Sequence, residues 1–296
     1  MKEKNTFFDY NEFAIERPFD FSLHSSIGCG GVARLAVYPR TEKELMDLIE
    51  KLTARKQGFI TVGNLTNSII PDLGTEKVVI CMKKMTKTEI FHDKNSIYVE
   101  SGVTSGSLLR ILRKACLSGA EFVTGIPCTM GGALYMNAGA GGQYLSDIVE
   151  SVRVLHEGKM VVLSKEECAY SYKQSAFMNA NDIILGATLR LEKSDEHTIL
   201  SLEKEWRERR RHLPKGKSMG CIFKNPEGKS AGALIESAGL KGLRVGGAKV
   251  SEVHANFIIN DGRATAREVC TLIQLIKNAV FAYCGVLLEE EIQFLN

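Results

Sequence analysis

Apolar residues recur at helical spacing in several stretches of the chain. Leu45, Leu48, Ile49 and Leu52 form one such face, and Thr41 with Glu44 before them reads as a capping box. Leu108, Leu109, Ile111, Leu112 and Ala115 predict a second helix that stops near Gly119, and Ala231 to Ala238 a short one closed by Gly239. Thr265 and Glu268 open a long helix carrying Val269, Leu272, Ile273, Ile276 and Val280, which ends at Gly285. Shorter apolar runs read as strands: Phe59 to Val62, Val78 to Cys81, Ile97 to Glu100, Val152 to Leu155, Met160 to Leu163 and Ile183 to Leu191. His24 to Pro39 reads as a loop feeding a strand, and the chain closes on an apolar strand that carries Glu289, Glu290 and Glu291. Clustered strands with few helices predict an α+β fold.

The pattern changes near residue 194. Thr198 to His212 predicts a charged helix rich in arginine, followed by a basic, Pro-containing linker, Pro214 to Ser218. A solvated helix face is the simpler reading of those arginines, because no aromatic interleaving or helix-turn-helix pattern accompanies them. Two units follow, about 1–195 and 196–284, with a terminal strand over 285–296. At 296 residues, 44% hydrophobic and 25% charged, the composition is that of a globular protein. No apolar run reaches membrane-span length. The opening MKEKNTFFDYNEF has no apolar stretch of the secretory kind. A formal charge of +3 selects no partner but does not repel an anion. The eight cysteines show no C-x-x-C or zinc-finger spacing, so reduced thiols and no metal site are expected, mostly as buried small hydrophobes.

Three stretches could carry chemistry, besides the one that stands out most. Gly125 to Gly142, GIPCTMGGALYMNAGAGG, holds six glycines in eighteen residues. Absent side chains let backbone N–H groups approach a phosphate or pyrophosphate, although a tightly packed core turn would use glycine equally well. Neither the dinucleotide fingerprint nor a P-loop is present. Cys221 lies between Gly220 and the Lys224-Asn225 pair, as acid, nucleophile or plain packing. Tyr170 to Ser175 alternates hydroxyls around Lys173 and suits a pocket wall or an exposed edge. In Glu289 to Glu291 the outer two carboxylates face opposite to the middle one if the stretch is extended.

Taken together these stretches resemble the UDP-N-acetylenolpyruvoylglucosamine reductase family. The matching runs keep the family's order from Leu23 to Phe294: SSIGCGGVARLAVYPRTEKEL, GNLTNSIIPDLG, GIPCTMGGALYMNAGAGG, YSYKQSAF, then GCIFKNPEGKSAGALIESAGLKGLRVGGAKVSEVHANFIINDGRATA, then GVLLEEEI. The length is similar to the shorter of its two types. The resemblance implies a two-subdomain FAD-binding module of the vanillyl-alcohol-oxidase-like type over 1–195 (about 1–82 and 83–195). A C-terminal α+β substrate domain would span 196–284, and the strand 285–296 would return to the FAD module. It implies non-covalent FAD held by Gly63, Asn64, Thr66, Asn67 and Ser68 and by Gly125, Ile126, Pro127, Gly131, Gly132, Ala133, Asn137 and Gly139. It implies a UDP-sugar held by Lys217, Lys224, Asn225 and His254. NADPH would reduce the flavin, and the enolpyruvyl substrate would then enter the same cleft to receive hydride and a proton. Three groups serve that step in the family, an Arg, a Ser and a Glu. Their positions hold Lys173, Cys221 and Glu291 here. A cytoplasmic monomer of peptidoglycan precursor synthesis, free of nucleic acid and membrane, is what the resemblance implies.

The chain departs from the family pattern at several of these positions. Lys173 replaces the Arg of Y-R-x-S, and Cys221 the Ser of G-S-x-F-K-N-P. Leu65 replaces a glycine of G-x-G-S-N, and Cys128 the glycine of I-P-G. The Tyr and Glu of N-A-G-A-Y-G-G-E are lost at Gly141 and Tyr144. A thiol can still donate a proton. An ammonium supplies charge without the two-bond fork of a guanidinium. The departures leave two alternatives to the reductase: a flavin oxidoreductase acting on another substrate, or a catalytically silent relative that binds flavin or nucleotide-sugar.

Overall fold

The computed structural model describes residues 12–295; the polar lead-in expected over the first residues falls largely outside them. The chain forms two compact units, neither continuous in sequence. The first gathers 12–19, Ala33–Gly63 and Glu76–Glu203, the second Asp20–Val32, Asn64–Thr75 and 204–295.

The first unit contains two sheets of four or more strands. One has four strands in the spatial order Ala14–Glu16, Ala36–Tyr38, Val78–Cys81, Phe59–Val62, antiparallel at the first pair and parallel beyond it. The helix Glu42–Ala54 links two of these strands and buries Leu45, Leu48 and Leu52 in a cluster with Val37 and Ile80. Its capping differs from the expected box. Thr41 accepts the Glu44 N–H at 3.1 Å, but the Glu44 carboxylate takes the N–H of Arg40 at 2.9 Å instead of that of Thr41. The other sheet is antiparallel, in the order Lys159–Ser164, Val149–His156, Ile183–Arg190, Ser96–Glu100, Thr88–Phe91. The helix Ser105–Lys114, capped by Thr104, and a short helix, Met130–Tyr135, belong to the same unit. The latter lies inside the glycine-rich stretch, where the apolar spacing predicts no helix.

The second unit is organised around the helix Ala266–Cys284. Both bonds of its capping box are present, Glu268 N–H to Thr265 Oγ1 at 3.1 Å and Thr265 N–H to the Glu268 carboxylate at 3.0 Å. A second anion sits at the same end: Asp72 accepts the N–H groups of Ala266 and Arg267 at 2.7 and 2.9 Å. Carboxylates are stabilised there by the orphan amides and the helix dipole. The helix ends on Gly285, whose φ of 71° is the left-handed cap that glycine permits. Its apolar face packs Val269, Leu272, Ile273 and Ile276 with Phe223, Ile235, Ile258 and Leu288. A three-stranded antiparallel sheet, Arg244–Val245, Ala248–Val250 and Ile258–Asn260, belongs to this unit. The terminal strand is shorter than expected. Only Gln293–Phe294 is a strand, paired in parallel with Ser68–Ile69. The acidic run precedes it, with Glu290 in an isolated bridge to Phe223. The charged helix spans Glu196–Arg209 and buries only Ile199 and Glu203. Among the described residues no helix is long and apolar enough to cross a membrane.

Candidate active site

The first unit assembles the glycine-rich stretch by close backbone approach. A Cβ at Gly63 would collide with Thr129 Oγ1, and one at Gly131 would lie 2.9 Å from Ser101 Cβ. Thr129 is the N-cap of Met130–Tyr135 and makes no capping bond with its side chain. Two early N–H groups of the helix are used, Met130 by the Val103 carbonyl and Gly131 by that of Ser101, both at 2.8 Å. That of Gly132 precedes the first intrahelical bond, Ala133 N–H to Thr129 O, and a Cβ at Gly132 would meet nothing nearer than 3.7 Å. Gly125, with φ of 77°, turns the chain into Ile126 and Pro127. The Ile126 carbonyl accepts from Ser105 Oγ at 2.5 Å. Cys128 is buried. Gly139 pairs with Tyr144 and Ala140 with Gln143, and a Cβ at Gly139 would run into the Gln143 carbonyl. Gly141 and Gly142, with φ of 58° and 85°, make the two-residue turn that the twist of a hairpin favours. Glycine stands at 141 because the turn requires it.

This stretch meets a physical test for a bound polar cofactor. Ser101 Oγ and Thr124 Oγ1 are buried without a hydrogen-bond partner, on residues that flank it. Buried hydroxyls are ordinarily paired, and a nucleotide or flavin would supply acceptors. The collision at Gly63 and the open space over Gly132 are the two features a phosphate-binding backbone needs, one closing the loop and the other leaving room for the ligand.

Lys173 belongs to the same unit. Ser171 and Gln174 exchange backbone hydrogen bonds, both at 3.2 Å, so Tyr172 and Lys173 are the central residues of a tight turn. Lys173 has φ of 57°, a conformation side-chain-bearing residues rarely adopt. Both ends of the turn are tied to the glycine-rich stretch. Asn137 Nδ2 donates to the Ser171 carbonyl at 2.9 Å, and Ser175 Oγ donates to the Tyr135 carbonyl at 2.6 Å. Tyr172 meets Tyr144 edge-on, ring centroids 6.3 Å apart.

In the second unit, Cys221 to Lys224 lies between two other segments. On one side Ile222 N–H donates to Asn256 O at 2.9 Å, and Cys221 bridges Phe257. The buried Asn256 side chain grips Phe223 twice, accepting its N–H at 2.9 Å and donating to its carbonyl at 2.8 Å. On the other side Glu291 N–H donates to Ile222 O at 2.8 Å, and Lys224 N–H to Glu289 O at 2.9 Å. Cys221 and Glu291 therefore sit on adjacent backbone segments. Glu291 is held from a third direction, its carbonyl accepting from Asn67 Nδ2 at 3.1 Å. Its two neighbours are engaged with lysines, Glu289 with Lys224 at 3.5 Å and Glu290 with Lys277 at 2.8 Å.

The remaining candidates fall in this unit too. Asn64, Thr66, Asn67 and Ser68 lead from Gly63 into the Ser68–Ile69 strand. Leu65, where the family pattern has glycine, keeps a left-handed φ of 52° and is buried, at a cost of about 1–2 kcal/mol. The Lys217 stem crosses Gly28, where a Cβ would lie 2.6 Å from Lys217 Cδ. Lys217 O accepts from Asn260 N–H, and Asn260 Nδ2 in turn donates to Ile27 and Gly28 carbonyls. Asn225 Oδ1 accepts from Ala231 N–H at 3.0 Å at the start of the helix Ala231–Ser237. His254 Nδ1 accepts from Asn256 N–H at 3.3 Å, which assigns its proton to Nε2. Burial holds its pKa below the ordinary histidine value, with His212 and Lys241 adding to the effect, so the ring is a neutral donor near pH 7.

Sequence reasoning missed Thr129, Ser101, Asn256 and Asn260. Thr129 stands at the N-cap position before a short apolar period, which glycines on either side obscure. Asn256 and Asn260 sit among apolar residues in HANFIIN, where a buried amide needs a specific partner.

Residues 211–295 match the family described as UDP-N-acetylenolpyruvoylglucosamine reductase, C-terminal domain, and residues 33–164 match the FAD binding domain family. A UDP-N-acetylenolpyruvoylglucosamine reductase of Alkaliphilus oremlandii is 38% identical over 279 residues, covering 92% of this chain and 90% of the relative. One from Clostridioides difficile is 39% identical over 276 residues, with 92% and 90% covered. The crystal structure of UDP-N-acetylenolpyruvylglucosamine reductase from Thermus caldophilus superposes with a TM-score of 0.83 at 32% identity, covering 96% of this chain and all of that one. With both halves matched, and with relatives this similar over nearly their whole length, the chain belongs to the UDP-N-acetylenolpyruvoylglucosamine reductase family.

Proposed function

We propose that this chain reduces UDP-N-acetylglucosamine enolpyruvate to UDP-N-acetylmuramate in peptidoglycan precursor synthesis, with FAD bound non-covalently and NADPH as reductant. The observation that carries the reading is the grip on Cys221 to Phe223 by Asn256 and the Glu291 segment, within the residues matched to the reductase's own C-terminal domain. When bound, FAD would supply the hydride chemistry between NADPH and the vinyl methylene of the substrate. The chain's groups handle the charge and the proton. Lys173 opposes the carboxylate on which negative charge builds. The Cys221 thiol gives its proton to the carbon beside that carboxylate as the double bond is lost, and Glu291 serves as the acid that hydrogen-bonds the developing enolate. Charge stabilisation by preset groups and proton delivery by a positioned acid are the two contributions required.

The Gly132 N–H and the backbone at Gly63 would face the flavin's phosphates, with Gly131, Ala133, Asn64, Thr66, Asn67, Ser68 and Gly125 to Pro127 around them. Lys217, Lys224, Asn225 and the Nε2 proton of His254 bind the UDP-sugar. Lys224 pairs with Glu289 at a long 3.5 Å, and Glu289 is 73% exposed, so an incoming phosphate can take that carboxylate's place. A cytoplasmic monomer is the state this reading expects. The test is direct: protein loaded with FAD, then NADPH and the enolpyruvyl substrate, with the product identified by mass. UDP-N-acetylmuramate formed in step with NADPH consumption supports the reading, and a protein that shows no change in FAD fluorescence on titration overturns it.

A further inference from the structure

The Asn137 side chain makes one donor and one acceptor bond within the protein. It is buried, 3% exposed, with φ of 44°, a left-handed conformation that asparagine tolerates better than most residues. Nδ2 donates to Ser171 O at 2.9 Å, and Oδ1 accepts from Ser146 N–H at 3.0 Å. One carboxamide thus joins three pieces: the end of the Met130–Tyr135 helix, the Leu145–Ile148 helix and the turn that carries Lys173. The turn has one further tie to the same place, Ser175 Oγ to Tyr135 O at 2.6 Å.

We propose that Asn137 is a positioning residue for Lys173, holding the Ser171–Gln174 turn in register with the glycine-rich stretch. The proposal rests on the reading that Lys173 binds the enolpyruvyl carboxylate. It follows from what lysine lacks. A guanidinium sets its own geometry on a carboxylate through two parallel bonds. An ammonium on a flexible stem is a point charge, so the direction of approach must come from the backbone that presents it. That backbone is a two-residue turn with Lys173 at φ of 57°. It would open readily without ties at both ends. An amide suits the Asn137 position, because Ser171 O takes a donor and Ser146 N–H an acceptor.

Asn137→Asp separates these duties. It keeps an acceptor for Ser146 and sets an oxygen against the Ser171 carbonyl. Ser175→Ala removes the second tie alone, with little risk to folding. Two readouts need no turnover: hydrogen exchange at the Ser171 and Gln174 amides, and calorimetric binding of the enolpyruvyl substrate to FAD-loaded protein without NADPH. Ser175→Ala is expected to retain FAD, and Asn137→Asp is compared after loading with saturating FAD. Exchange at the two amides should rise, and substrate binding should weaken by about tenfold for Asn137→Asp and less for Ser175→Ala, the scale of one hydrogen bond. Added to Lys173→Met, Asn137→Asp should cause no further loss of binding. Wild-type binding by Asn137→Asp, or losses that simply add in the double variant, would overturn the proposal. Wild-type binding and turnover by Lys173→Met would instead overturn the reading of Lys173, and the proposal with it. The two failures are distinct, because in the first Lys173→Met is itself impaired.

Discussion

The two units prepare their share of the chemistry by opposite means. The first removes side chains. Gly63 lies against Thr129, Gly131 against Ser101, and Gly139 under its own hairpin, so what this unit presents there is backbone. The second adds side chains, asparagine amides that grip backbone: the buried Asn256 on Phe223 and Asn260 on Ile27 and Gly28, and the partly buried Asn67 on Glu291. A surface made of backbone is intolerant where it is packed, since an added Cβ at Gly63, Gly131 or Gly139 meets a neighbour. A clamp on neighbouring backbone leaves the functional side chain exchangeable. Cys221 can stand where the family has serine because Asn256 holds Ile222 and Phe223, not the thiol.

The largest effect expected from this contrast is at Cys221. Cys221→Ala should slow substrate-dependent flavin reoxidation by about two decades or more and leave flavin reduction by NADPH intact. Cys221→Ser should keep substantial turnover, because the clamp is untouched. Single-turnover reoxidation measures both, and equal rates for Ala and wild type would remove Cys221 from the reaction. In the first unit, Lys173→Met should cost about 3 kcal/mol of barrier, roughly a hundredfold in the same step, with FAD still bound. Lys173→Arg should preserve or raise the rate.

Stability separates the units next. Asn256→Ala leaves a buried N–H and carbonyl of Phe223 unpaired, and chemical denaturation should show a loss of about 2–5 kcal/mol. A loss below 1 kcal/mol, about the scale of an ordinary surface substitution, would mean that Asn256 is no clamp. Leu65→Gly should destabilise less than Leu65→Ala. Both lose a buried side chain, but only glycine relieves the left-handed backbone. The reverse order would contradict the strain assigned to Leu65.

The smallest effects are in pH dependence, where two histidines run in opposite directions. His254, in the second unit, has its pKa lowered by burial. The unfolded chain then binds the extra proton more readily, so the stability it contributes is full above about pH 6.5 and is lost as pH falls through the folded value. His156, in the first unit, is raised by its hydrogen bond to Asp182 at 2.6 Å. Its contribution is full below about pH 6.5 and is lost as pH rises through the folded value, and its exposure keeps it small. His254→Gln should flatten the acid limb of the stability curve, and His156→Gln should leave that limb unchanged.

Much of this was legible in the chain. The Thr265–Glu268 box, the Gly285 stop and the strands Phe59–Val62 and Val78–Cys81 all appear where the local pattern puts them, because each is decided by neighbours in sequence. The short helix Met130–Tyr135 did not show, because glycine lowers helix propensity and tertiary packing on Ser101 and Val103 outweighs it. Nor did the membership of Asp20–Val32 and Asn64–Thr75 in the C-terminal unit. It depends on long-range pairing, Ser68–Ile69 with Gln293–Phe294 and Asp72 with the start of a helix nearly two hundred residues on. Candidate site residues were legible through their resemblance to family motifs. Their supports, Asn256 and Thr129, have no motif of their own, because what identifies them is a partner distant in sequence.

The account stands most directly on one anaerobic experiment. Protein carrying FAD is reduced with one equivalent of NADPH, then mixed with UDP-N-acetylglucosamine enolpyruvate while the flavin absorbance is followed. The account predicts bleaching on the first addition, recovery on the second, and one UDP-N-acetylmuramate for each flavin reoxidised. A flavin that bleaches with NADPH and stays bleached after the enolpyruvyl substrate is added would contradict it.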